Sequence, residues 1–309
     1  MKTFLKWFLG IILGIFGFAL LLLLTGWIIF RMSDTTNGRI LSSGEERRYL
    51  LYVPESYDPS TPVPLVISLH GFAQWPAHQS QLTRWTELAD QYGFIVVHPG
   101  GIGFPKRWRT ELQADGSPSP DVTFISGLID QLEGDYAIDP SRIYVNGLSN
   151  GGGMSSLLAC ELSDRIAAMG SVAGAYSFSW KECPSARPVP AIIFHGTADP
   201  IVPYMGGLTG DSRFNLPPVP SWVADFARHN GCDSKAVEIP ASGEVSGIRH
   251  ENCSEEAEVI FYTIDGGGHS WPGGGYLPQR LVGHTTKDID ATKAMWEFFQ
   301  KHPLAAVSD

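Results

Sequence analysis

The feature that most constrains the fold is a serine held between two glycines, where a predicted strand meets a predicted helix. Ser149 lies in Gly147-Leu148-Ser149-Asn150-Gly151, which matches the pattern G-x-S-x-G once in the chain. A β-branched, aromatic stretch precedes it over 142–145, and apolar residues at helical spacing follow over 152–162. A strand, a sharp turn and a helix in this order project the serine above the edge of a sheet. The pattern predicts a nucleophilic Ser149, with a glycine-rich turn and an incidental serine as the alternative.

Strand-like and helix-like patterns alternate along the rest of the chain. Such alternation predicts an α/β fold, with helices on both faces of a mostly parallel sheet. Ligands bind beyond the carboxyl ends of the strands in sheets of this kind. We expect strands at 48–53, 65–69, 94–98, 143–146, 191–195 and 259–264, and helices at 81–92, 122–132, 152–162, 222–229 and 288–299.

A serine hydroxyl needs a base that an acid orients, and in this fold the chain order is serine, acid, histidine. Asp199 follows the predicted strand 191–195, and His269 follows the predicted strand 259–264 within a glycine-rich loop. Both residues therefore follow the carboxyl ends of predicted strands, where ligands bind in sheets of this kind. His195 is interpreted as a structural histidine, His284 has no support from chain order, and Asp265 stands too early in the loop to orient His269.

The tetrahedral intermediate of acyl transfer needs two backbone N–H donors. The residue after the nucleophile, Asn150, supplies one of them in this fold. The second comes from the loop after the strand 65–69, in His70-Gly71-Phe72. We predict that Phe72 is this donor and that His70 shapes the loop without a catalytic role.

The chain resembles the polyhydroxybutyrate depolymerase/feruloyl esterase family of exported α/β-hydrolases from about residue 48 to 300. The segments that carry the resemblance are Leu69-His70-Gly71, Gly147 to Gly152, His195 to Asp199, Gly268 to Gly273, Asp139 to Tyr144 and Asp288 to Thr292. The resemblance implies an α/β-hydrolase fold with Ser149, Asp199 and His269 as nucleophile, acid and base. It also implies hydrolysis of feruloyl, short-acyl or hydroxyalkanoate oligomer esters without a cofactor.

Four aromatic residues are candidates for lining the substrate cleft. They are Trp271, Tyr276, Trp75 and Trp108. A packing role is the alternative for each of them. The same triad would also cleave amides, so a serine peptidase is a second candidate function. A binding module on a hydrolase fold is a third, although such modules usually lose a triad member, and all three are present here.

Four cysteines are present, and they allow three pairings. Proximity along the chain favours Cys160 with Cys183 and Cys232 with Cys253, while four free thiols are the alternative. The family resemblance implies disulfides. No Cys-x-x-Cys spacing occurs, so we predict no metal site.

The N-terminal segment is apolar and suggests export. Residues 7–30 carry no charge, and Lys2 and Lys6 precede them, which predicts a transmembrane helix with the rest of the chain outside. A cleaved signal peptide is the alternative, and it would give a secreted protein. We therefore expect four parts: a cytoplasmic stub and membrane anchor at 1–32, a tether at 33–46, the catalytic domain at 47–303 and a tail at 304–309.

The charge balance excludes one class of partner. Three of the 22 basic residues lie in 1–32, which leaves 19 against 32 acidic residues and a net charge near −13 for the exported part. Nucleic-acid binding needs a basic surface, so we predict no nucleic-acid partner. The expected partners are a small or oligomeric ester and, through the N-terminal helix, a membrane, while the sequence leaves the oligomeric state open.

Overall fold

The chain divides into an N-terminal unit that ends at Thr35 and a compact unit that begins at Thr36. The N-terminal unit holds one helix, α1 (Lys2–Ser33). Among the residues that the structure describes, we find no helix with the length and apolarity needed to cross a membrane. The predicted anchor at 7–30 and the predicted membrane partner therefore have no support from the structure. This computed structural model describes residues 2–33, 35–185, 187–210 and 214–305.

The second unit is built around one mixed β-sheet, accompanied by a short two-stranded ribbon. Its strands are β1 (Gly38–Ser42), β2 (Glu45–Tyr52), β3 (Val63–Leu69), β4 (Ile95–Pro99), β5 (Ile138–Leu148), β6 (Ala168–Val172), β7 (Ala191–Gly196), β8 (Gly207–Leu208), β9 (Asn215–Leu216), β10 (Val237–Ser242), β11 (Val245–His250) and β12 (Val259–Ile264). Within the described residues the sheet order is β1-β2-β4-β3-β5-β6-β7-β12-β11-β10, and β8 pairs with β9 separately. The strands from β4 to β12 in this order run parallel, and antiparallel pairs flank them.

The prediction of a mostly parallel sheet is confirmed. Its central strands are predominantly apolar because both faces are covered. Every residue of β4 and β7 is buried, as is every residue of β3 after Val63. The sequence patterns missed β6, whose small residues in Ala-Met-Gly-Ser-Val lack the β-branched character of the other central strands.

Helices cover the sheet on both faces. They are α2 (Pro76–Thr83), α3 (Trp85–Tyr92), α4 (Pro120–Asp135), α5 (Asn150–Glu161), α6 (Val219–His229), α7 (Gln279–Val282) and α8 (Ala291–Phe299). Side chains of α4, α5 and α6 belong to one apolar cluster, and those of α3 and α8 belong to a second one. The single helix predicted at 81–92 is two helices, because Arg84 between them has left-handed backbone angles (φ 57°, ψ 27°).

Part of the segment 33–46, expected as a polar tether, belongs to the sheet. Strand β1 pairs antiparallel with β2, and its residues alternate between half-buried and exposed positions. The Asn37 side chain extends this pairing, since it accepts from the Leu51 N–H at 2.7 Å and donates to the Leu51 carbonyl at 2.8 Å. The strand is short, and the polar residues on both sides of it give the segment its tether-like composition.

Two disulfides tie connecting segments to the helices. Cys160 in α5 is bonded to Cys183, and Cys232, just after α6, is bonded to Cys253. The prediction of disulfides is confirmed, with the pairing that chain proximity favours.

A buried ion pair joins the sheet to the start of α4. The Arg47 guanidinium lies 2.8 Å from the Asp121 carboxylate, and their side chains are 4% and 0% exposed. Arg47 also donates to the Gly100 carbonyl, and its guanidinium lies 4.0 Å from the centre of the Phe124 ring. The other Asp121 oxygen accepts from the Arg109 N–H at 2.8 Å. Asp121 therefore links β2, α4 and the loop before α4.

We expect Asp121→Asn to lower the free energy of unfolding by about 3 kcal/mol or more, because it leaves the Arg47 charge buried without a counter-charge. The matched control is Asp225→Asn, which breaks an exposed pair with Arg228 (side chains 39% and 67% exposed). That control should cost less than about 1 kcal/mol. Urea denaturation of both variants measures the difference, and equal losses would contradict the expectation.

Candidate active site

Ser149 occupies a sharp turn between β5 and α5. Its backbone angles, φ 58° and ψ −120°, are unfavourable for a residue with a side chain. Three hydrogen bonds hold this conformation: the Ser149 N–H donates to the Val172 carbonyl at 2.8 Å, and the Ser149 carbonyl accepts from the N–H groups of Gly153 at 2.9 Å and Ala175 at 3.0 Å. The G-x-S-x-G pattern thus folds as the strand–turn–helix that it predicts.

The flanking glycines allow the backbone to close around this turn. A Cβ on Gly147 would lie 2.4 Å from the Gly151 carbonyl carbon, and a Cβ on Gly151 would lie 2.3 Å from the Leu69 carbonyl oxygen. Both distances are well below van der Waals contact, and both neighbours are backbone atoms. The two positions therefore require glycine for steric reasons.

Asp199 and His269 are in direct contact. His269 Nδ1 lies 2.7 Å from Asp199 Oδ2, and both side chains are buried. The other oxygen, Asp199 Oδ1, accepts from the N–H groups of Ile201 and Val202, each at 2.8 Å. Burial alone would raise the pKa of Asp199, but the neighbouring His269 and the backbone donors hold that pKa below its usual value. Asp199 is thus a carboxylate that accepts a hydrogen bond from His269 Nδ1.

The other candidates occupy different places. His195 is buried and lies 2.9 Å from the Val202 carbonyl through Nε2, with Asp199 Oδ2 at 3.4 Å. Burial lowers the pKa of His195, so its neutral ring donates from Nε2 to the Val202 carbonyl. His284 is paired with Glu244 at 2.9 Å and is largely exposed. Asp265 accepts from the Thr197 hydroxyl at 3.3 Å on the surface.

The strand order places these groups at one edge of the sheet. Ser149 follows β5, Asp199 follows β7 and His269 follows β12. In the sheet these strands are near one another, in the order β5-β6-β7-β12. A cavity of about 660 Å³ opens at this edge and is lined both by Ser149 and by residues 200–202 of the Asp199 loop. The parallel topology thus carries the serine and the aspartate–histidine pair to a common region.

The two predicted oxyanion donors, Phe72 and Asn150, both line this cavity. The buried His70 orients the N–H group of Phe72. Its Nε2 accepts from the Gly101 N–H at 2.9 Å, so its Nδ1 carries the proton and donates to the Gly71 carbonyl at 2.7 Å. Burial lowers the pKa of His70 to about 3, in keeping with a neutral ring. In a trans peptide the N–H points opposite to the carbonyl, so this bond sets the direction of the Phe72 N–H.

Only one of the four aromatic cleft candidates lines the cavity among the described residues. Trp108 contributes to its wall. Trp271 is fully buried in the apolar core, where its indole N–H donates to the Thr292 hydroxyl at 2.9 Å. Tyr276 is 86% exposed. Trp75 precedes α2 and packs near His78, with ring centres 5.4 Å apart.

Most of the wall comes from segments that the sequence patterns did not predict. Arg107, Arg109 and Thr110 contribute from one loop, and Thr209 and Leu216 contribute from the connection between β7 and α6. No motif marks these residues. The length of that connection, 197–218, was the available signal, because long loops in compact domains are often functional. Among the described residues we find no group of three or more His, Cys, Asp or Glu side chains that could hold a metal ion.

Comparison with known proteins decides the family. Residues 47–202, half of the chain, match the model of the family described as Esterase PHB depolymerase. The chain belongs to this family. It is a carboxylic ester hydrolase. Feruloyl esterase C of Emericella nidulans is 29% identical to this esterase over 270 residues, which cover 85% of the chain and 87% of that protein.

Solved structures agree on the fold. An acetyl xylan esterase from Aspergillus awamori has a TM-score of 0.60 at 16% identity, over 85% of this chain and 98% of that one. A ferulic acid esterase from Anaeromyces mucronatus, solved with ferulic acid, has a TM-score of 0.53 at 18% identity, over 87% of this esterase and 90% of its own chain. At these identities the likeness establishes the α/β esterase fold.

We expect Gly151→Ala to destabilise the esterase and reduce its activity, because the added Cβ collides with the Leu69 carbonyl and distorts the turn at Ser149. The matched control is Gly134→Ala in α4, where no described atom beyond the neighbouring residues and the nearby helix backbone lies within 4 Å of the added Cβ. There the change should be neutral or stabilising by up to about 1 kcal/mol. Thermal unfolding and ester hydrolysis measure both variants, and equal behaviour would contradict the steric requirement.

Proposed function

We propose that this esterase works through a covalent acyl-enzyme, with Ser149 as nucleophile, His269 as base and Asp199 as the acid that orients the base. The observation that carries the proposal is the 2.7 Å contact between His269 Nδ1 and Asp199 Oδ2 at the edge where Ser149 stands on its strained turn. This bond holds the imidazole in the tautomer whose Nε2 is unprotonated. That nitrogen is the one that can accept a serine proton.

Each proton in the proposed reaction passes through His269. Ser149 Oγ attacks the ester carbonyl carbon while its proton moves to His269 Nε2. The C–O bond to the alcohol then breaks, and the same proton passes to the departing oxygen. Water next attacks the acyl-serine and gives a proton to His269, which returns it to Ser149 as the free acid leaves.

The negative oxygen of each tetrahedral intermediate is stabilised by the N–H groups of Phe72 and Asn150 in this proposal. Asn150 begins α5, where the first N–H groups have no partner within the helix. The hydrogen bond from His70 to the Gly71 carbonyl supports the role of Phe72, because it orients the following peptide before any substrate arrives. A donor fixed in advance costs no reorganisation during the reaction.

The substrates we propose are feruloyl-type esters, short-acyl esters or hydroxyalkanoate oligomers. The relatives named feruloyl esterase and acetyl xylan esterase support this range. The cavity of about 660 Å³ has the size of a site for a small molecule. Apolar side chains from 200–202 and the ring of Trp108 provide walls for an aryl or alkyl group.

We further propose that the hydrolase unit operates outside the cytoplasm. Its two disulfides support this location, because disulfides persist in oxidising compartments. Export through the apolar segment 7–30, as an anchor or a signal peptide, would account for their oxidation.

We expect a fluorophosphonate probe to label the wild-type protein, and Ser149→Ala to abolish this labelling because the nucleophile is gone. Hydrolysis of p-nitrophenyl acetate and methyl ferulate should fall by about a thousandfold or more in the same variant. Ser177→Ala removes another hydroxyl from the cavity wall and should still be labelled. Labelling of the Ser149→Ala protein, or none of the folded wild type, would refute the serine mechanism.

We expect Asp199→Asn to reduce kcat by about ten-thousandfold with the fold retained, because an amide N–H facing His269 Nδ1 selects the wrong tautomer. Asp265→Asn makes the same change beside the His269 loop, on an exposed carboxylate that accepts from the Thr197 hydroxyl. The control should change kcat less than about twofold. Steady-state kinetics and circular dichroism distinguish the two, and similar kcat values would remove Asp199 from the mechanism.

A further inference from the structure

Resting on the proposed function, we propose that the cavity beside Ser149 selects esters that carry a carboxylate, which pairs with Arg107 and Arg109. Both arginines line the cavity together with Ser149. The substrate class is thus an anionic ester, such as a monoester of a dicarboxylic acid, rather than a neutral one. The two positive charges stand out because the chain as a whole has a net charge of −10.

The two guanidinium groups have no acidic partner in the described part of the chain. Several other arginines of this unit are paired with carboxylates, among them Arg47 with Asp121, Arg142 with Asp139 and Arg228 with Asp225. The acidic side chain that the described wall contains is Glu111, and its carboxylate accepts from the Thr110 N–H at 3.1 Å. The described wall therefore keeps a net positive charge, which favours a bound anion.

The loop that carries both arginines is fastened to the residue after Ser149. The Asn150 side chain accepts from the Trp108 N–H at 2.7 Å and donates to the Trp108 carbonyl at 3.0 Å. The Trp108 indole donates to the His70 carbonyl at 2.9 Å, and the Arg109 N–H donates to Asp121 at 2.8 Å. Because Trp108 lies between the two arginines, these bonds fix their backbone relative to the nucleophile. The loop therefore presents both arginine side chains on the same wall as Ser149.

The apolar part of the wall fits the rest of such an ester. Ile201, Val202 and Leu216 line the same cavity. An acyl or alcohol chain packs against these side chains while its carboxylate reaches the guanidinium groups. Arginine binds carboxylates with two parallel hydrogen bonds, which fixes orientation as well as charge.

The test compares matched charged and neutral esters. Mono-p-nitrophenyl glutarate against p-nitrophenyl valerate places the carboxylate on the acyl side. Para-acetoxybenzoate against its methyl ester places it on the alcohol side. The measured quantity is the ratio of kcat/KM for the anionic ester to kcat/KM for its neutral match, at low and at high salt.

We expect the wild-type ratio for at least one pair to fall about tenfold in Arg107→Gln and in Arg109→Gln, mainly through KM. Added salt should lower the wild-type ratio as well, because it screens the charges. The control Arg39→Gln removes an equivalent charge from an exposed edge strand and should leave the ratio unchanged. The pair that responds identifies the side of the ester on which the carboxylate is bound.

Ratios that stay equal in all variants for both pairs would overturn the charge-selective cavity. In that case hydrolysis of the neutral esters that is lost in Ser149→Ala would still uphold the proposed mechanism. Neutral and anionic hydrolysis that both survive Ser149→Ala would instead overturn the mechanism. The two failures are therefore distinguishable.

Discussion

The backbone of Ser149 has a conformation that a serine adopts only where its surroundings enforce it, at a cost of about 1–3 kcal/mol. The enforcement comes from the neighbouring strand and the segment after it, because the Ser149 N–H is bonded to the Val172 carbonyl of β6 and its carbonyl to the Ala175 N–H. Tertiary structure therefore holds the turn, and the position of Ser149 depends on the order of β5 and β6 in the sheet.

The sequence revealed those parts of the site that depend on local geometry. Glycines at 147 and 151 are required because a Cβ would collide with nearby backbone, and such a requirement leaves a readable pattern. The positions of Asp199 and His269 follow from strands that are apolar along their length, since each residue comes shortly after such a strand. The carboxyl ends of parallel strands lie at the same edge of a sheet. Residues that follow predicted strands therefore also identify the candidate site.

Features that depend on distant contacts left no such pattern. Trp271 stands next to Ser270 and His269 in the chain, yet its ring is turned into the core by packing and by the Thr292 hydroxyl. In strand β6, Gly170 leaves the space that the Met295 side chain fills, and Val172 is the one β-branched residue of this strand. The strand β1 is short and polar residues precede and follow it, so the composition of the segment indicated a tether.

Asn150 takes part both in the local geometry of the turn and in a contact with a distant segment. Its backbone belongs to the turn that the glycine pattern predicts, whereas its side chain holds Trp108, which lies 42 residues earlier in the chain. The turn at Ser149 is thus marked by a local pattern, and a loop of the cavity wall is attached to it through a long-range contact. Side chains at 107 and 109 can change without breaking this contact, because Asn150 bonds only to backbone atoms of residue 108. The anion selectivity that we propose lies in the side chains of Arg107 and Arg109, which the strand and glycine patterns do not constrain.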